Sequence, residues 1–218
     1  MQELQVRRDR GVFPQLPAQA LLPRIPDAVL REAVAPGVFV ALILASNYAL
    51  AALPNVKLFD LLVFVAGYSL GLRRGATVAV AAWLVYGHVN PWGVAHAQLL
   101  VVLMASETLY AAAGAVVRRI VSPDRIRLRP GMVSLAFLLP ALIATPLYDL
   151  ATNAYTGYYW ATIAGSGEYA RWLSVAVFNP GALFFMAVHL GANLAFFPVF
   201  GPLLTRGAER IKEQFAWR

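Results

Sequence analysis

The sequence predicts an all-α integral membrane bundle of six transmembrane helices, with the N-terminus and the C-terminus both cytoplasmic. Three observations predict it. Hydrophobic residues make up 60% of the 218 residues and charged residues only 13%, too little charge to cover the surface of a soluble domain. The apolar residues fall in repeated runs that approach the roughly 20 residues a perpendicular helical span requires. The net charge is +7, yet the basic residues sit at the ends of the apolar runs. That placement reads as orientation in a membrane and argues against a nucleic-acid partner.

Residues 1–34 form a cytoplasmic arm. Its first 31 residues carry Arg7, Arg8, Arg10, Arg24 and Arg31 with prolines at 14, 17, 23 and 26, and they lack the apolar core of a cleavable signal. A short interfacial helix is expected over 27–34, with Asp27 as its cap. The membrane domain is residues 35–204. Its first span is 35–53, stopped by Pro54. The link Pro54-Asn55-Val56-Lys57 leads to a second span, 58–72, and Arg73-Arg74 turn into a third, 76–89; both are expected to be short or tilted. An outer loop over 88–93 precedes the fourth span, 95–117. A basic loop, 118–129, and Pro130-Gly131 precede the fifth, 132–152. A long aromatic loop follows to Trp172, and the sixth span is 173–204. Residues 205–218 form a cytoplasmic tail.

Orientation follows from the arginines and lysines. With the N-terminus inside, sixteen of eighteen fall on the inner side, and only Lys57 and Arg171 fall outside. That is the distribution the positive-inside rule asks for, and an odd number of spans would break it.

Gly37, Ala41, Ala45 and Ala49 recur every fourth residue and share one helical stripe. Such a stripe serves close packing inside the bundle or docking onto another membrane subunit, and the residues leave both open. A shorter stripe is Gly71, Gly75 and Ala79.

Charged groups at membrane depth cost about 2.5–3.5 kcal/mol on insertion, so each needs a reason. Glu107 lies mid-way along the fourth span, on one face with His96, Leu100 and Leu103. Asp149 and Asn153 form an i,i+4 pair near the outer end of the fifth. Asn47 and Asp60 lie at similar outer depth, and His189 with Asn193 reads as an interhelical polar clamp. Most of these converge on the outer half, where Asn90, Trp92, His96, Glu107, Asp149, Asn153, Tyr155, Tyr158 and Trp160 are the candidate substrate-binding residues. Aromatic walls with a few polar anchors suit a small flat organic molecule, while each aromatic singly also suits an interfacial belt. Asp149 and Glu107 favour a cationic or hydrogen-bond-donating substrate; Arg171 works against that preference.

Catalysis is not expected. No phosphate-binding G-x-x-x-x-G-K-[ST], no H-E-x-x-H and no G-x-S-x-G occurs. With no cysteine and three scattered histidines, neither a metal site nor a cofactor is predicted. No inverted repeat or serial row of acids marks a self-contained transporter or channel.

The stretch Pro54-Asn55-Val56-Lys57, then Val63-Phe64-Val65-Ala66-Gly67-Tyr68 and Gly71-Leu72-Arg73-Arg74-Gly75-Ala76, resembles the substrate-binding S component of energy-coupling factor (ECF) transporters. The resemblance spans roughly residues 35–204 in topology and is sharpest over 54–92. It implies capture of a vitamin-like micronutrient at the outer face of the cell membrane. Transport would be powered by a transmembrane T subunit and two ATPase subunits, with Gly37, Ala41, Ala45 and Ala49 at the T-subunit interface. The opening Met1-Gln2-Glu3 lacks the histidine of the metal-transporting subgroup, and no signature of the thiamine, riboflavin, biotin or folate subgroups is present. The competing readings are an assembly subunit whose aromatics form only a belt, and a small intramembrane enzyme using Glu107 with His96.

Overall fold

A computed structural model describes residues 27–127 and 131–214; the arm over 1–26, the proposed capping side chain of Asp27 and the end of the basic loop lie outside the described residues. Among those described, every regular element is helical. Seven helices matter here: α1 (Ala35–Ala49), α2 (Phe59–Leu70), α3 (Leu72–Tyr86), α4 (Ala97–Ile120), α5 (Met132–Ile163), α6 (Tyr169–Phe178) and α7 (Pro180–Gln214). Four segments are long and apolar enough to cross a bilayer: Glu32–Ala49, Ala97–Ile120, Val133–Ile163 and Pro180–Gln214. They mark the chain as a membrane protein.

The expected interfacial helix does not stand apart. The turn Asp27–Val29 and the π-turn Leu30–Val34 run directly into α1. Pro36 has no N–H and crowds the carbonyl four residues earlier, and a wide turn ahead of it relieves both faults.

Helix α2 is the centre of the bundle: every residue from Phe59 to Ser69 is buried. Helices α1, α3, α4 and α7 surround it. Contact with α4 is backbone to backbone. A Cβ at Gly114 would sit 2.1 Å from the carbonyl oxygen of Phe64, and one at Gly67 2.2 Å from that of Ala111. Gly71, at φ +88°, breaks α2 from α3, a conformation that costs a glycine nothing. Phe64 packs against Phe137 and Phe197, with ring centroids 5.6 and 5.4 Å from its own.

The expected aromatic loop over 153–172 is corrected. Helix α5 continues eleven residues beyond Thr152, to Ile163. The hydroxyls of Thr152, Thr156 and Thr162 each donate to the carbonyl four residues back, so these polar residues sit in the helix without orphaned groups. Gly165, at φ +61°, ends it: the N–H of Ser166 reaches the carbonyl of Ala161 and that of Gly165 the carbonyl of Thr162, the paired bonds of a Schellman stop.

The run read as the sixth span is two helices. Asn179 is extended (ψ 152°), as the residue before proline prefers. Its Oδ1 accepts the N–H of Ala182 and its Nδ2 donates to the carbonyls of Val175 and Ala176. One side chain closes α6 and opens α7. Helix α7 then passes Leu204 unbroken to Gln214, through the segment read as a tail.

Basic residues gather at one end of the bundle. Arg118 pairs with Glu209 at 3.0 Å and lies over the ring of Tyr68, and Lys212 donates to the carbonyl of Ser69. Arg74 pairs with Glu32 at 2.5 Å. The opposite end carries the cavity described next.

Candidate functional site

The link between α1 and α2 builds one wall of that cavity. Asn55 takes φ +57°, a conformation asparagine tolerates, and its Nδ2 donates to the carbonyl of Phe185 on α7 at 2.8 Å. This pins the link to the bundle and turns Lys57 inward. Its ammonium lies 5.4 Å from the ring of Trp83 and 5.9 Å from that of Tyr148. Among the described residues, Lys57 forms no ion pair.

The resulting cavity has a volume of about 360 Å³, with Asn47, Leu50, Pro54, Lys57, Trp83, Tyr86, Asn90 and Trp92 among its lining. Trp83 forms the floor, stacked on Phe59 at 5.1 Å. At the mouth, Asn90 is bound into its own turn: Oδ1 accepts the N–H of Trp92 and Nδ2 donates to the carbonyl of Gly93. That turn holds Trp92 out, 68% exposed. The hydroxyl of Tyr48 donates to the carbonyl of Val89 and ties α1 to the same loop. Asn47 differs from all of these. It is 3% exposed, and neither its Oδ1 nor its Nδ2 has a partner among the described residues. A buried amide left without partners costs about 1–3 kcal/mol, a penalty that a ligand with a matching donor and acceptor would remove.

Behind the floor lies a second layer of polar groups. Trp83 Nε1 donates to Glu107 Oε2 at 3.1 Å, while Glu107 Oε1 has no partner among the described residues. His189 bridges two acids: Nδ1 to Asp149 Oδ1 at 2.8 Å and Nε2 to Asp60 Oδ2 at 2.6 Å. Asn193 donates to the same Asp60 oxygen at 2.6 Å and to Thr145 Oγ1 at 2.9 Å. Tyr110 also donates to Thr145. Four helices (α2, α4, α5 and α7) meet in this network, and a buried charge needs that many partners.

The sequence-derived candidates therefore divide by position. Asn90 and Trp92 line the cavity. Asp149 and Glu107 lie in the layer behind it, on His189 and Trp83. His96 and Tyr155 belong to an aromatic cluster elsewhere. His96 caps α4, accepting the N–H of Leu99 at 3.4 Å; it stacks on Tyr159 at 4.2 Å and meets Tyr155 at 5.8 Å with the rings tilted. Tyr158 is exposed and stacks on Tyr169 at the start of α6. Trp160 is exposed and Asn153 half-buried, and neither lines the cavity. Sequence reasoning passed over Lys57, Trp83 and Tyr86. A signal for Lys57 existed, since it is one of only two basic residues that the expected topology leaves outside the basic clusters.

The two small-residue stripes also part. Gly75 and Ala79 are buried, and Gly75 packs against Gly67. Gly37, Ala41, Ala45 and Ala49 are exposed on α1. No family model, curated protein or solved structure matches this chain.

Proposed function

We propose that this protein is the substrate-capture subunit of an ATP-driven importer of the energy-coupling factor kind. It holds a small organic, vitamin-like molecule at the outer face of the cell membrane. The observation that carries the reading is the cavity of about 360 Å³ with the unpartnered buried amide of Asn47 in its wall. At the ~30 Å³ share of one water, that volume takes about a dozen non-hydrogen atoms, the scale of a one- or two-ring nutrient.

The motif stretch behind the family resemblance supports the reading. Pro54-Asn55-Val56-Lys57 walls the cavity, and Gly67, Gly71 and Gly75 make the close turn of α2 into α3. In this reading α2 and α3 are short spans, α6 packs beside α7 at the outer side, and six crossings leave both termini cytoplasmic. The basic end of the bundle then faces the cytoplasm and the cavity faces out. The exposed stripe on α1 takes the transmembrane T subunit, with two ATPase subunits behind it; the chain itself performs no chemistry. An assembly subunit would use that same exposed stripe without needing the cavity.

The test is purification in mild detergent followed by extraction and mass spectrometry of co-bound small molecules. A stoichiometric organic molecule is expected, lost or much reduced in Trp92→Ala, whose exposed ring can be removed without unfolding the bundle. No molecule in the wild type, or equal retention in the variant, defeats the capture reading.

A further inference from the structure

The charge that faces the cavity is positive. From the sequence, Asp149 and Glu107 favoured a cationic substrate, but neither lines the cavity. Asp149 is bonded to His189, and Glu107 accepts from Trp83 Nε1 on the far side of the floor. Lys57 does line it, with ring faces as neighbours and no ion pair among the described residues.

We infer that the molecule bound there carries an anionic group, a carboxylate or its like, paired with the Lys57 ammonium, and a flat amide-like edge bonded to Asn47. This rests on the capture reading above. An ammonium at the wall of a half-closed cavity gains more from an anion at hydrogen-bond distance than from any neutral group, because desolvation weakens screening. Asp60 and Glu107 lie within coulombic reach of Lys57, and they oppose the anion. Neither lines the cavity, and His189 stands between Asp60 and Asp149 as a counter-group. Contact outweighs distance in the Coulomb sum. Asn47 supplies the second, independent element: its buried donor and acceptor are both unfilled, so a ring N–H beside a ring acceptor, or a carboxamide edge, completes it.

The probes are matched triples on one- and two-ring scaffolds of cavity size: a carboxylic acid, its primary amide and the corresponding amine, led by indole-3-acetate, indole-3-acetamide and tryptamine. Binding is measured by thermal shift and by titration calorimetry on detergent-purified full-length protein. Acids are expected to bind at least about tenfold tighter than their amides, with amines weakest. Lys57→Met removes that preference while leaving amide binding in place; Lys57→Arg retains it. Asn47→Ala weakens acid and amide alike, which separates the two roles. Preference for amines or amides in the wild type, or an acid preference that survives Lys57→Met, overturns the anion assignment and leaves the capture reading standing. Failure of every triple at millimolar concentration in folded protein, together with no co-purified molecule, overturns both.

Discussion

Replacing His189 with leucine tests the layer behind the cavity most directly. Leucine keeps most of the volume, so the cavity contribution is small, and what is lost is the bridge between Asp60 and Asp149. Two bonds to carboxylates disappear, at 2.6 and 2.8 Å, and both acids remain buried, Asp60 at 0% exposure. A hydrogen bond to a charged group contributes about 1.5–3 kcal/mol, and breaking a buried pair from one side costs about 3–5 kcal/mol, so His189→Leu is expected to lose that amount. For a chain of this size the melting temperature falls by about 2–4 °C per kcal/mol, a drop of about 6–20 °C in detergent. The triple variant Asp60→Asn, His189→Leu, Asp149→Asn removes the stranded charges as well, and is expected to recover at least about 1 kcal/mol over His189→Leu alone. A single variant within about 1 kcal/mol of wild type, or a triple no better than the single, would refute the bridge as a charge-balancing element.

Three further outcomes follow from packing and capping. Gly114→Ala forces a methyl group to within 2.1 Å of the Phe64 carbonyl, and is expected to lose about 3 kcal/mol or fail to fold; an unchanged melting temperature counts against the α2–α4 contact. Ala45→Leu, on the exposed stripe, is expected to shift stability by less than about 0.5 kcal/mol, while Ala79→Leu, at 0% exposure, costs about 1–3 kcal/mol or more. Equal effects in thermal unfolding would contradict the placement of the two stripes. Asn179→Ala removes bonds to both flanking helices and is expected to cost about 1–2 kcal/mol, with Asn179→Asp intermediate because it keeps only the acceptor; limited proteolysis at the α6–α7 junction reads the loss.

The helical, membrane-embedded character was legible because apolar length and basic flanks are properties of the chain alone. Where tertiary contacts decide, legibility failed. Tyr155, Tyr158, Tyr159 and Trp160 read as an outer aromatic loop, since nothing in the string shows that threonine hydroxyls will back-bond and let α5 run on to Ile163. The break at Asn179 hid inside an apolar run because one side chain serves two helix ends. Glu107 and Asp149 were recognised as needing partners, and they have them. Their rotation and depth, set by packing against Trp83 and His189, placed them behind the cavity wall. Lys57 carried the opposite lesson. It lines the cavity together with Trp92, and its exception to an otherwise clean charge distribution was the signal that pointed there.

The twelve residues of α2 give about 18 Å of helix, roughly 12 Å less than the hydrocarbon core of a bilayer. Because α2 is wrapped on all sides by protein, it never has to match that thickness. The unused depth above Phe59 is where Trp83, Lys57 and the link to α1 close around open space. The cavity is in this sense a missing turn of helix. Its neighbours need not splay to make room, so the size of the cavity is set by where one buried helix begins. A single added turn between Lys57 and Phe59 would plug the site from within and leave the outer wall of the bundle as it is.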